Sequence, residues 1–294
     1  MFSTVDNNKI NYVAIQNSDE KKQDLIKVIP DELVLEVFSH LNLATLSTIC
    51  CVSKQWKQLA SQPIVWKIAM YNEIAFGNSK WAKYFGKDVI KNEDTKEEFS
   101  SLPFDAFIED CKKFKNLFPG KSAKDSLMLV RLPKTLNGQL TLKNLGELAK
   151  KYFPTSNAGY DKGYLWPPVL AEGGDKTIDQ SQWVLMTNDL LPDSRSKNYA
   201  EHQAMIANLA QQKLIGYEIP EIIESTACIL AQHFKTNSVG DSENPFYNGC
   251  TYTVCKDNIQ GSHTLVGGLK NSGLRIYYHN QPGFAIGVAA LRKP

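Results

Sequence analysis

Long apolar runs are missing from this sequence. The longest, Phe284 to Leu291, is mixed in character and falls far short of the roughly 20 apolar residues that a membrane-crossing helix needs. No membrane partner is expected. The start is equally poor in apolar residues: Met1 to Ile10 carries Asp6, Asn7, Asn8 and Lys9 where a secretory signal needs an apolar core. Export by the general route is therefore not expected, although a bacterial secretion system that reads an unstructured polar leader would leave no such mark, and residues 1–27 are compatible with one. Charge of one sign is also lacking. The 33 basic and 31 acidic residues leave +2, divided as −1 before Pro119 and +3 after it, so neither half has the net field that draws in nucleic acid. Six cysteines (Cys50, Cys51, Cys111, Cys228, Cys250 and Cys255) include no CxxC pair and no dense framework, which suits reduced thiols in a cytoplasmic location.

What is present is ordinary globular sequence. Hydrophobic residues at 43% and charged residues at 22% exclude a largely disordered or fibrous chain, and 294 residues suit roughly two domains. Residues 1–27 are polar without helical period and are expected to form a flexible leader. Helical spacing then begins: Leu33, Val34, Val37, Phe38 and Leu41 recur on one face behind Pro30, whose missing N–H suits a helix start. A second helix is expected from Leu43 to Ala60, and aromatic-rich helices over Ile64 to Ala75, Lys80 to Phe85 and Phe104 to Phe118. After Pro119-Gly120 the texture changes. Ser126 to Leu132 and Trp183 to Met186 read as strands, and Leu142 to Tyr152, Tyr199 to Lys213 and Glu221 to Phe234 as helices, while the Gly- and Pro-rich Pro154 to Gly174 reads as loop. Turn signals at Asn258 to Gly261, Lys270 to Gly273 and Asn280 to Gly283 imply four short antiparallel strands at the end, pairing among themselves. The fold class expected is α+β: a helical N-terminal module followed by a mixed α+β domain ending in an antiparallel sheet.

Catalytic chemistry has little support. No phosphate-binding glycine loop, zinc-protease motif or nucleophile elbow occurs. Cys250, Cys255, His263 and His279 form a Cys/His group, but its cysteines are five apart where zinc knuckles use two to four, and no third ligand is evident beside the histidines. Neither metal nor cofactor is expected. Cys228 lies among apolar helix residues, and Cys250 follows the exposed turn Asn248-Gly249, leaving Cys250 as the better nucleophile candidate of the two. Tyr160, Tyr164 and Trp166 make an aromatic loop that either lies over the core or forms a recognition surface.

One pattern has specific spacing. Ile29-Pro30-Asp31-Glu32-Leu33 is followed by Phe38-Ser39 and Leu41, by Val52-Ser53-Lys54-Gln55-Trp56, by Leu59-Ala60 and by Trp66-Lys67. Core packing alone does not demand Val52-Ser53-Lys54 at a fixed distance from both Pro30 and Trp56. This segment resembles the F-box, with Ile29 in place of the more usual Leu. A helical hairpin of this size cannot cover its own apolar surface and needs a neighbour. The resemblance implies that the neighbour is the Skp adaptor, which links to a cullin and the ubiquitin-transfer machinery. It further implies that Pro30 and Leu33 dock at the adaptor with Ile29, Leu35 and Val52 beside them, whereas Phe38, Leu41, Trp56 and Trp66 hold the helices together.

The second half is similar to a C-terminal domain shared by F-box proteins of chlamydia-like bacteria that live inside amoebae, through Trp183 to Asn188, Tyr199 to Gln203, Gly267-Gly268-Leu269 and Gly287 to Lys293. The division expected is a leader over 1–27, an F-box over 28–68, a helical extension over 69–118 and an α+β client-binding domain over 121–294. The function implied is that of an adaptor, not an enzyme, which recruits a client protein to a Skp-cullin ubiquitin ligase, in the host cytoplasm if the chain is a secreted bacterial effector. The alternative is an F-box-targeted enzyme whose catalytic domain is the C-terminal half.

Overall fold

The computed structural model describes residues 29–90, 95–118, 120–121, 125–237, 246, 250–279 and 281–294. The expected leader over 1–27 lies outside them. Helices α1 (Asp31–Ser39), α2 (Leu43–Ile49), α3 (Lys54–Ala60) and α4 (Pro63–Glu73) form a bundle at the N-terminal end. Its core contains Val34, Phe38, Leu46, Leu59, Ala60, Val65 and Ala69. The single helix expected from Leu43 to Ala60 is two, because Ser53 adopts an extended conformation and its hydroxyl accepts the backbone N–H of Trp56 at 3.1 Å, starting α3 afresh. Asn42 caps α2 in the same way through the N–H of Thr45.

Helices α5 (Asn78–Phe85), α6 (Thr95–Ser100) and α7 (Phe104–Leu117) follow, and then strand β1 (Leu127–Leu132). The chain continues through α8 (Leu142–Ala149), β2 (Tyr160–Leu165), α9 (Pro167–Gly173), β3 (Gln182–Thr187), α10 (Tyr199–Leu209), β4 (Tyr217–Glu218) and α11 (Ile222–Asn237). It closes with β5 (Tyr252–Ile259), β6 (Ser262–Lys270), β7 (Gly273–Tyr278), β8 (Ile286–Gly287) and β9 (Leu291–Arg292). Two sheets result, in the orders β1-β3-β9-β4 and β2-β7-β6-β5-β8. The fold is α+β, as expected.

The apolar runs of β1 and β3 arise because both of their faces are buried. Met128, Val130, Val184 and Met186 point into one core with α11, where they meet Cys255, Val266, Leu274 and Ile276 of the second sheet. Leu127, Leu129, Trp183 and Leu185 point into another core with α7 and α10. The closing strands differ from expectation. Strands β5, β6 and β7 pair antiparallel, but β8 lies parallel to β5, and β9 leaves for the other sheet, where it pairs with β3 and β4. Val288, Ala289 and Ala290, fully buried between β8 and β9, carry the chain across and fix the switch. The stretch expected as loop over Pro154 to Gly174 contains β2 and α9.

The helical segment expected as an extension packs into the body. Phe76, Trp81 and Val89 belong to the core that α11 fills, and Met70, Ala75, Phe107, Cys111 and Phe114 belong to the other. Phe76 also donates its N–H to Leu129 and accepts that of Arg131, adding a bridge to β1. Helix α4 therefore spans both regions, with Val65 and Ala69 in the bundle and Met70 in the body.

Candidate functional site

The first turn of α1 is built for exposure. Pro30 occupies the N-cap, where no N–H is required, its carbonyl accepts the N–H groups of Leu33 and Val34, and Asp31 and Glu32 favour the positive end of the helix. Val34 and Phe38 face inward, which turns Leu33 and Val37, one helical turn apart, to solvent with 57% and 59% of their surface exposed. Gln55 donates to Asp31 at 3.1 Å and holds the start of α3 beside the start of α1. Val52, in the turn just before α3, is thereby placed at the same end of the bundle as Ile29 and Pro30, with 59% and 44% exposure for Val52 and Ile29.

Of the five residues singled out from sequence, Ile29, Pro30, Leu33 and Val52 lie exposed. Leu35 is placed differently, half-buried against the bundle core. Sequence reasoning passed over Val37 as a surface residue because its spacing fits the helical stripe as well as that of Val34. Leu33 and Val37, at i and i+4, lie along one margin of the same apolar stripe that carries Val34 and Phe38 along the other, so the helical period alone does not say which margin is buried. Phe38 and Trp56 pack edge to face with centroids 5.6 Å apart, and the Trp66 indole donates to the Ala60 carbonyl at 2.6 Å, so these side chains brace the platform from behind.

The chemistry-bearing residues of the second half are dispersed. Cys255 is buried with its sulfur 3.0 Å from the Ser225 hydroxyl, while Cys250 is exposed just before β5, so the two thiols do not meet. Burial pushes the thiols of Cys228 and Cys255 well above the usual range, and that of Cys111 up to about 12. These three are apolar packing groups, not nucleophiles. His263 on β6 and His279 just past the end of β7 are neighbours, the His279 N–H donating to the His263 carbonyl. The ring of His263 stacks on Tyr199 at 3.4 Å, and Nδ1 of His279 accepts the Gln281 N–H. Among the described residues, no group of three or more His, Cys, Asp or Glu side chains has the placement to hold a metal ion. No helix among them is long and apolar enough to cross a membrane. In the aromatic loop, Tyr160 is buried with its hydroxyl donating to the Leu142 carbonyl, Tyr164 lies over the Arg275 guanidinium at 4.0 Å, and Trp166 packs on Tyr278 at 5.1 Å. The loop is thus part core and part surface.

Residues 26–68 match the family model described as F-box-like. No solved structure matches the chain.

Proposed function

We propose that this chain is an adaptor of a Skp-cullin ubiquitin ligase, docking on Skp through its N-terminal bundle and holding a client protein on its α+β body. The observation that carries this reading is the apolar face formed by Ile29, Leu33, Val37 and Val52 on the segment that matches the F-box-like model. Four exposed apolar side chains on α1 and in the turns before α1 and α3 form the kind of patch that marks a protein interface. The buried side of the same helices is fully used in packing, so the exposed residues are spare to the fold and available to a partner.

The cullin enters only through Skp, and the client only through the body. The resemblance of the second half to a C-terminal domain of F-box proteins of chlamydia-like bacteria favours a secreted effector working in a host cytoplasm, where Skp, cullin and client all belong to the host. In this reading the chain catalyses nothing: the chemistry belongs to the ligase, and the chain supplies position. The test is titration calorimetry of the full chain with purified Skp. One-to-one binding is expected. A folded chain that does not bind would end the proposal.

A further inference from the structure

We propose that, when Skp is absent, the run Tyr12-Val13-Ala14-Ile15 of this same chain lies over the exposed apolar face of α1 and has to leave before Skp docks. This rests on the reading of that face as the Skp-docking surface and names what regulates access to it.

The face itself calls for a cover. Ile29, Leu33, Val37 and Val52 are all exposed, on α1 and in the turns before α1 and α3. A single exposed apolar residue is ordinary, but a set of four leaves surface that is costly in water when no partner is bound.

The sequence supplies a cover of matching chemistry. Tyr12 to Ile15 is the longest apolar run ahead of the segment that matches the F-box-like model, and like the rest of the leader it lies outside the described residues. It has the same need for burial as the face. Side chains on one side of an extended segment repeat about every 6.7 Å, against a rise of about 6 Å between Leu33 and Val37 on α1. Val13 and Ile15 therefore match that pair in spacing. Charge does not oppose the contact: α1 presents Asp31, Glu32 and Glu36, and residues 9–15 contain Lys9 and no acidic residue.

The tether limits where the run can go. The leader enters the structure at Ile29, which is itself a member of the face. Gln16 to Val28, the 13 residues between the run and Ile29, reach at most about 45 Å when extended, while the nine residues of α1 are only about 14 Å long. The whole face is within reach. A short link gives an effective concentration of about 1 mM, so a contact with a dissociation constant of about 0.1 mM covers the face about nine-tenths of the time. With the face open for the remaining tenth, the apparent affinity for Skp is about tenfold weaker than that of the uncovered face.

The test compares the full-length chain with its variant Tyr12→Ser, Val13→Ser and Ile15→Ser. Each is followed by methyl NMR of the chain alone, at Ile29, Leu33, Val37 and Val52, and by titration calorimetry with Skp. The variant should bind Skp about tenfold more tightly, and its four methyl signals should differ from the parent's at every protein concentration. Equal Skp binding with and without the three side chains would overturn the proposal while leaving the adaptor reading intact. If neither chain binds Skp, the adaptor reading fails and the methyl signals alone decide whether the run covers the face. Signals that coincide in the two chains would overturn the proposal. So would a difference that disappears on dilution, which would put the run on a second copy.

Discussion

The Glu73 carboxylate accepts the backbone N–H of Leu43 at 2.9 Å, joining the last turn of α4 to the first turn of α2. This bond lies where α4 passes from the bundle to the body. Just beyond it, Lys80 donates to the carbonyls of Glu73 and Ala75 and Lys235 donates to that of Ile74, covering the negative end of α4. Burial, with Lys235 and Lys83 nearby, pushes the Lys80 ammonium down to about 7. The bundle and the body thus share one helix whose end is held from both sides.

Removing the acceptor should be measurable. Glu73→Ala leaves the Leu43 N–H without its protein partner and should cost about 1 kcal/mol, lowering the melting temperature by roughly 2–4 °C for a chain of this size. Glu73→Gln keeps an oxygen in place and should recover most of the loss in the same melting experiment.

The shared cores bear on any attempt to isolate the second half. A fragment of residues 121–294 lacks Phe76, Trp81, Phe107 and Phe114, all within 2% of full burial. It also lacks Asp110, whose carboxylate accepts from Arg292 at 2.7 Å and from the Tyr217 hydroxyl at 2.9 Å. Each missing aromatic is worth about 3–5 kcal/mol, more in sum than the whole stability of an ordinary domain. The fragment should show helix and strand by circular dichroism but no sharp melting transition. Cooperative melting like that of the full chain would show that the helices of 69–118 are dispensable to the body.

Trp56 is half-buried, packed edge to face on Phe38. Trp56→Ala should therefore cost about 2–3 kcal/mol, at or below the low end for a large aromatic removed from a core. Chemical denaturation of the full chain reads this directly, and unchanged stability would remove Trp56 from the bundle's support.

His233, 2% exposed and stacked on Phe153 at 4.8 Å, is pushed down by burial from 6.5 to about 4. A histidine whose folded value is depressed binds fewer protons folded than unfolded. Its contribution to stability is fully present above 6.5 and is lost as pH falls from there through about 4, to a total of about 3 kcal/mol. Denaturant midpoints measured between pH 7 and 4 should fall less steeply in His233→Leu than in the parent. Parallel curves would contradict the assignment.

The parts of the fold legible in the sequence were those with local causes. Pro30 announces α1, and the apolar runs of β1 and β3 announce strands. The break between α2 and α3 was hidden because Ile49, Cys50 and Val52 keep apolar residues near helical spacing across the turn. Strand β2 was hidden because Asp161, Lys162 and Gly163 interrupt alternation, and they do so because they bulge around Arg275, a partner more than a hundred residues away in sequence. The crossing of β9 to the other sheet has no local signal: its two residues are placed by β3 and β4. At the candidate docking face the pattern supplied Ile29, Pro30, Leu33 and Val52, but which side of α1 each apolar residue takes depends on the fit of Val34 and Phe38 among Leu46, Leu59 and Val65.

The central claim is that the exposed face of α1 receives Skp. The measurement that tests it most directly is the affinity of the full-length chain for Skp before and after Pro30 and Leu33 are both changed to Ala, with melting followed in parallel. Both residues are exposed, so the melting temperature should stay within a few degrees of the parent. The affinity should fall by about a hundredfold or more, as when anchor side chains leave an interface. Undiminished Skp binding by the folded double variant would contradict the account.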